Sequence, residues 1–267
     1  MQRPLVMILL ATLAGSIPAA AQMALPGAVA PSAAGSVEKL YSPKKAVKAG
    51  PRPVPGFAAI VARPLLLNGG AGLLQFSVKG AALRIDKLRL IGEVISDSRQ
   101  QCSIDVVGAA PIETKSLARP DGLARFEADI PACPMTFDIL DGAVLSPPQT
   151  AACVFTAADC QASPAGLWGP DGAGLAKEAK SIEAMRARAQ NEMVTNFKEL
   201  EARVKDADKA KELARDQAGF SSQRAETCHD YAQEAAHGYC ATKLTEARAA
   251  YLRARSDEQP QVAAKSR

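Results

Sequence analysis

The chain has 267 residues and a formal net charge of +4, with 32 lysines and arginines set against 28 acids. The basic residues are spread among the acids, so no strongly basic face for nucleic acid is evident and no nucleic-acid partner is expected. Such a length holds one large domain or two small ones, and beyond the N-terminal stretch no run is apolar enough to span a bilayer.

Met1 to about Ala21 predicts a secretory signal. Arg3 gives the positive start, and Val6 to Ile17 is an apolar core too short to cross a membrane. Ala19, Ala20 and Ala21 form a small-residue cleavage site before Gln22, with no cysteine there to carry a lipid. The expectation is a periplasmic or secreted protein. Residues 22–55, rich in Pro, Ala, Gly and Ser, read as a disordered linker that cannot bury enough apolar surface to offset chain entropy. Its Lys44, Lys45, Lys48 and Arg52 read as a solvated run rather than a touch-point for anionic polymer.

Residues 56–162 are written as short strands. Gly72 to Val78 ends at a Lys79-Gly80 turn signal. Leu83 to Asp86 alternates apolar and charged residues, and Leu88 to Leu90 resumes the alternation out of phase. A bulge or turn at Asp86-Lys87 accounts for the slip. Cys102 to Val106, Phe126 to Ile130, Thr136 to Leu140 and Cys153 to Phe155 continue the set, with Asp141-Gly142 as a hairpin turn. Gly69, Gly70 and Gly72 lack the Lys-Ser/Thr ending of a phosphate loop and read as another hairpin turn. The spacing predicts an antiparallel β-sandwich or barrel-like domain. Ser163 to Pro170 reads as a break between modules, with Trp168 packed at their junction.

From about residue 171 to 255 the period becomes helical. Ile182, Met185, Ala189, Met193, Phe197, Leu200 and Val204 step by three and four. Glu199/Arg203 and Glu201/Lys205 add i,i+4 pairs. The polar run from Lys205 to Lys209 predicts a fold-back. Ala210, Leu213, Gln217, Phe220, Arg224, Cys228 and Tyr231 mark a second helix, and Cys240, Leu244, Ala247 and Tyr251 a third, with a break at His237-Gly238. The expected whole is an α+β two-module chain. Its C-terminal part is a helical hairpin or three-helix bundle closed by a disulfide, followed by a disordered tail over residues 256–267.

All six cysteines follow the signal, and an even number in an exported chain predicts disulfides. Sequence leaves the connectivity open; pairing neighbours gives Cys102–Cys133, Cys153–Cys160 and Cys228–Cys240. Cys228, His229, His237 and Cys240 offer zinc-type ligands. Cys228 and His229 are adjacent and diverge by about 100° on a helix, so a disulfide is expected there and no metal or cofactor. The chain has only two histidines, and Ser221-Ser222 lacks a nucleophile elbow, so no catalytic residues and no enzyme activity are expected. Arg224, Arg248 and Arg253 read as a solvated flank or structural ion pairs, with Glu226 or Glu246 nearby in sequence.

The order Gln217, Phe220, Arg224, Cys228, then Gly238, Cys240, Leu244, Thr245, Arg248 and Leu252 resembles the LprI-type lysozyme inhibitor domain. That family shows a Gln, an aromatic, an Arg, a Cys, a Gly-containing loop, a second Cys and a closing Leu-Thr-x-x-Arg-x-x-x-Leu. Phe220 stands where Trp is usual, and the family's extra cysteine pair near the domain start has no complete counterpart. The resemblance covers about forty residues strongly and leaves the strand region untouched. It implies an envelope protein that binds, and inhibits, a lysozyme or an endogenous muramidase. The rival expectation is a scaffolding, small-ligand or glycan-binding protein whose sheet would present Phe57, Phe76, Phe126, Phe137 or Phe155.

Overall fold

The computed structural model describes residues 56–258, apart from residues 62, 81, 149 and 150. The expected signal (1–21), the linker (22–55) and the tail beyond residue 258 lie outside the described residues. So does the Lys44, Lys45, Lys48 and Arg52 cluster.

Among the described residues twelve strands come first: β1 (Leu65–Leu67), β2 (Ala71–Lys79), β3 (Ala82–Val94), β4 (Gln101–Asp105), β5 (Ile112–Glu113), β6 (Lys115–Ser116), β7 (Ala124–Ala128), β8 (Met135–Leu140), β9 (Ala143–Ser146), β10 (Cys153–Phe155), β11 (Cys160–Ala162) and β12 (Gly166–Gly169). Helices follow: α1 (Gly172–Leu175), α2 (Ala179–Arg203), α3 (Ala207–Cys228), α4 (Glu234–His237) and α5 (Tyr239–Glu258). An antiparallel sheet region thus precedes a helical region held by a disulfide. The helix α5 runs through Glu258, three residues into the stretch expected to be a tail.

The strands pair antiparallel in the order β10-β11-β3-β2-β1-β12-β9-β8-β7-β6, and β4 and β5 also pair with β3. The phase slip expected near Asp86 is a register shift. Gln75 faces Lys87 while Phe76 faces Ile85, which leaves Asp86 unmatched. The extra residue keeps Leu83, Ile85, Leu88 and Leu90 all on the buried face, each at most 1% exposed. Asp141-Gly142 links β8 to β9, with Gly142 at φ +75°. Asn68 to Gly70 turns β1 into β2.

Ser163 to Pro170 is not a break. Gly166–Gly169 forms β12, inserted between β1 and β9. Strand alternation sends its two large side chains in different directions. Trp168 joins the sheet core, while Leu167 joins the cluster under the helices. The tryptophan is therefore a core residue of the sheet and not a junction residue.

The neighbour pairing of the first four cysteines is also corrected. Cys102 bonds Cys160, and Cys133 bonds Cys153. The cause is strand order. Both β4 and β11 pair with the far half of β3, where Gly92 is the register partner of Cys102 and of Ala162. A Cβ at Gly92 would come within 1.9 Å of the Gln161 carbonyl oxygen, so only glycine admits this approach. Cys228 and Cys240 are bonded to each other.

The helices do not stand apart from the sheet. Leu123, Leu140, Ala143 and Leu167 share one buried cluster with Leu175, Ile182, Cys228, Tyr231, Tyr239, Cys240 and Leu244. The fold-back after α2 occurs at Asp206, whose carboxylate accepts from the amides of Asp208 and Lys209 and so caps α3. The helix α2 runs along α5, where Asn196 Nδ2 donates to the Ala249 carbonyl at 2.7 Å.

Candidate protein-interaction site

The family-like residues converge on the seam between α3 and α5. Arg248 Nε donates to Gln217 Oε1 at 3.1 Å, and its Nη2 lies 2.8 Å from Asp216 Oδ2. The Arg248 guanidinium also sits 5.6 Å from the centre of the Phe220 ring and 4.9 Å from that of Tyr251. Arg224 flanks the Phe220 ring at 5.4 Å and donates to Thr245 Oγ1 at 2.9 Å. One aromatic ring is thus held by two arginines, a geometry that combines cation–π attraction with packing of the aliphatic stems. Leu252 and Phe220 lie in one buried cluster with Met193 and Leu200, and Leu244 lies in the neighbouring cluster beside Cys240. The arginines use Thr245, Gln217 and Asp216, and Arg253 pairs with Glu192. Glu246, near these arginines in sequence, lies 3.1 Å from Lys243 Nζ. The substitution Arg248→Met should keep the stem but lose the polar contacts, at about 1–2 kcal/mol in urea denaturation.

The break between α3 and α5 is a constructed turn. Gly238 has φ +66°, and a Cβ there would meet Arg186 Nη1 at 2.5 Å. Glu234 reaches across this break. Its carboxylate accepts from the amides of Cys240 at 3.0 Å and Ala241 at 2.8 Å. That places a negative charge at the start of α5, where amides lack helical partners. Nothing in the sequence spacing marks Glu234 for this role.

The same segment is moored to the sheet. Ala232 N donates to Asn68 O at 2.8 Å, in the β1–β2 turn. Tyr231 Oη donates to the Pro170 carbonyl at 2.9 Å, and Tyr239 Oη to the Gly142 carbonyl at 3.1 Å. Burial, then nearby negative groups, pushes both phenols above the ordinary tyrosine range, so they stay protonated donors. His237 is buried. Its Nε2 donates to Ala232 O at 3.0 Å and its Nδ1 accepts from Tyr239 N at 3.1 Å. His229 and Asp230 differ from all of these, with side chains 82% and 78% exposed. Cys228 and Cys240 are bonded to each other and offer no thiolate beside these histidines.

A cleft of about 540 Å3 lies where the Arg119–Leu123 loop approaches α2 and α5. Leu123, Leu140, Ala247 and Ala250 form its apolar surfaces, and Arg119, Asp141, Glu192 and Asp257 are among its polar ones. Arg125 supports the loop by pairing with Asp138 at 2.7 Å and Asp121 at 2.8 Å. Those carboxylates hold the Arg125 guanidinium above its ordinary range, with the Asp138 hydrogen bond as the largest cause. Lys243 is buried beside Glu246 at 3.1 Å and 5.5 Å from the Tyr239 ring centre.

The aromatic residues of the sheet are packed inward. Phe137 contacts both Phe76 and Phe126, Phe57 meets Phe126 edge-on, and Phe155 packs on the same core. Among the described residues, no group of three or more His, Cys, Asp or Glu could hold a metal ion, and no helix is long and apolar enough to cross a membrane. No family model, no curated protein and no solved structure matches this chain.

Proposed function

We propose that this chain is an exported cell-envelope protein that binds a lysozyme or an endogenous muramidase and blocks its cleft, without catalysing a reaction itself. The observation that carries the reading is the seam between α3 and α5. Gln217, Phe220, Arg224, Thr245 and Arg248 occupy one interlocked cluster, so the resemblance to LprI-type domains rests on residues that act together. They hold the helices in register and leave recognition to the surface around the Cys228–Cys240 loop. Three disulfides with no free cysteine among the described residues suit an oxidising compartment.

The sheet region, in this reading, is a closed barrel that serves as a rigid base. Residues 112–116 support closure because β5 pairs with β3 while β6 pairs with β7. A glycan-binding sheet has less support, since its phenylalanines are used as core. The test is clearing of a peptidoglycan suspension by a purified lysozyme, followed by turbidity. Added mature protein should slow clearing in proportion to its concentration. Unchanged clearing at large molar excess would leave a scaffolding role and remove the inhibitor reading.

A further inference from the structure

We propose that the cleft between the Arg119–Leu123 loop and α5 holds an extended basic peptide, in which two cationic side chains flank a run of small apolar residues. This goes beyond the inhibitor reading and does not depend on it. One wall of the cleft is a single face of α5. Glu246, Ala250, Arg253 and Asp257 line it at spacings of four, three and four residues. Such steps return each side chain to the same side of a helix. Glu246 and Asp257 are eleven residues apart, which is about three turns, or about 16 Å along the axis. The facing wall is the loop, where a Cβ at Gly122 would come within 2.7 Å of the Ala250 carbonyl oxygen and 3.1 Å of the Ala254 Cβ. The result is an elongated groove of about 540 Å3, with Leu123, Ala250 and Ala254 in its middle and a carboxylate toward each end.

Charge selects the occupant. Four carboxylates line the cleft (Asp141, Glu192, Glu246 and Asp257) against two guanidiniums, Arg119 and Arg253. Arg253 pairs with Glu192, which leaves the middle of the groove neutral. At one end Asp141 and Glu246 both lie close enough to the Tyr239 phenol to disfavour its ionisation. Lys243 offsets Glu246, and Asp141 is exposed. At the other end Asp257 is exposed on the last turn of α5. There the helix carbonyls lack amide partners and add partial negative charge of their own. A surface that runs negative, neutral and apolar, then negative complements a ligand that runs positive, apolar, positive. An extended chain rises about 3.3 Å per residue, so cations about five residues apart span the groove. The small side chains of Ala250 and Ala254 let a peptide backbone approach, and the exposed Arg119 supplies a donor for its carbonyl oxygens. A continuous polycation fits less well, because Arg119 and Arg253 would face its central charges.

The experiment titrates the mature chain with the end-blocked hexapeptide Lys-Ala-Ala-Ala-Ala-Lys and follows heat release. Saturable binding is expected, and it should weaken as salt is raised. Glu-Ala-Ala-Ala-Ala-Glu should not bind. Lys-Lys-Ala-Ala-Ala-Ala has the same composition but reaches one end only, so it should bind more weakly. Asp141→Asn and Asp257→Asn should each weaken binding about threefold, the scale of an exposed ion pair. The double variant should lose about tenfold, since the two sites act independently. Both side chains are exposed, so far-UV circular dichroism should not change. No saturable binding at millimolar peptide, equal binding of the two lysine arrangements, or affinity untouched by both substitutions would overturn the proposal. Self-association that the double variant abolishes, with no peptide binding, would give the groove to a second copy and overturn it as well. Peptide binding by a chain that leaves peptidoglycan clearing unchanged would support this site and remove only the inhibitor reading.

Discussion

Trp168→Ala should lower stability by about 3–5 kcal/mol, the range for removing a large ring from a packed core. The indole is fully buried on β12, where Trp168 is the register partner of Leu67 on β1 and Val144 on β9. Gly72 presses toward the same ring, since a Cβ there would touch Trp168 at 3.4 Å. The indole N–H donates to the Pro164 carbonyl at 3.0 Å. Trp168→Phe retains most of the ring but leaves that carbonyl without its donor, so it should cost less, about 1–3 kcal/mol. Urea denaturation followed by far-UV circular dichroism checks both. Trp168 is the only tryptophan, so wild-type fluorescence reports this one site. Loss below 1 kcal/mol for the alanine variant, on the same scale of about 3–5 kcal/mol for a packed ring, would mean that β12 is not a central strand.

Replacing both Cys102 and Cys160 with alanine should cost about 4 kcal/mol, estimated from the chain entropy released on opening a long loop. The bond joins residues 58 apart in sequence, against separations of 20 and 12 for the other two. Loop closure becomes costlier with length, so the Cys102–Cys160 variant should be the least stable of the three paired replacements. Thermal denaturation of all three gives the ranking. Peptide mapping under non-reducing conditions tests the connectivity directly. A fragment linking Cys102 to Cys133 would contradict the strand order described above.

Local devices of this fold were legible in the sequence. The skipped phase at Asp86 appears as a register shift because alternation has a period of two, and one additional residue must displace it. Asp141-Gly142 and Asp206 mark turns because their residue types favour a hairpin and a helix cap. Long-range partners were not legible. The bond from Cys102 to Cys160 depends on β4 and β11 both reaching β3, which no spacing between cysteines encodes. The strand β12 was hidden because Pro164, Gly166, Gly169 and Pro170 resemble loop punctuation, leaving only Leu167 and Trp168 to show alternation. At the candidate site, the helical stripe named Gln217, Phe220 and Arg224, and the family resemblance added Arg248, but neither gave their mutual contacts. Glu234 and Lys243 gave no signal, since one acts across a turn and the other looks like an ordinary solvated lysine.

The split destinations of Leu167 and Trp168 carry a consequence for how the chain can be divided. A piece ending at Pro170 would keep the indole seated but strip the cover from Leu123, Leu140, Ala143 and Leu167. Those side chains would meet water as one oily patch, and such patches make proteins clump. The strand region is thus half of an inseparable pair rather than a portable part.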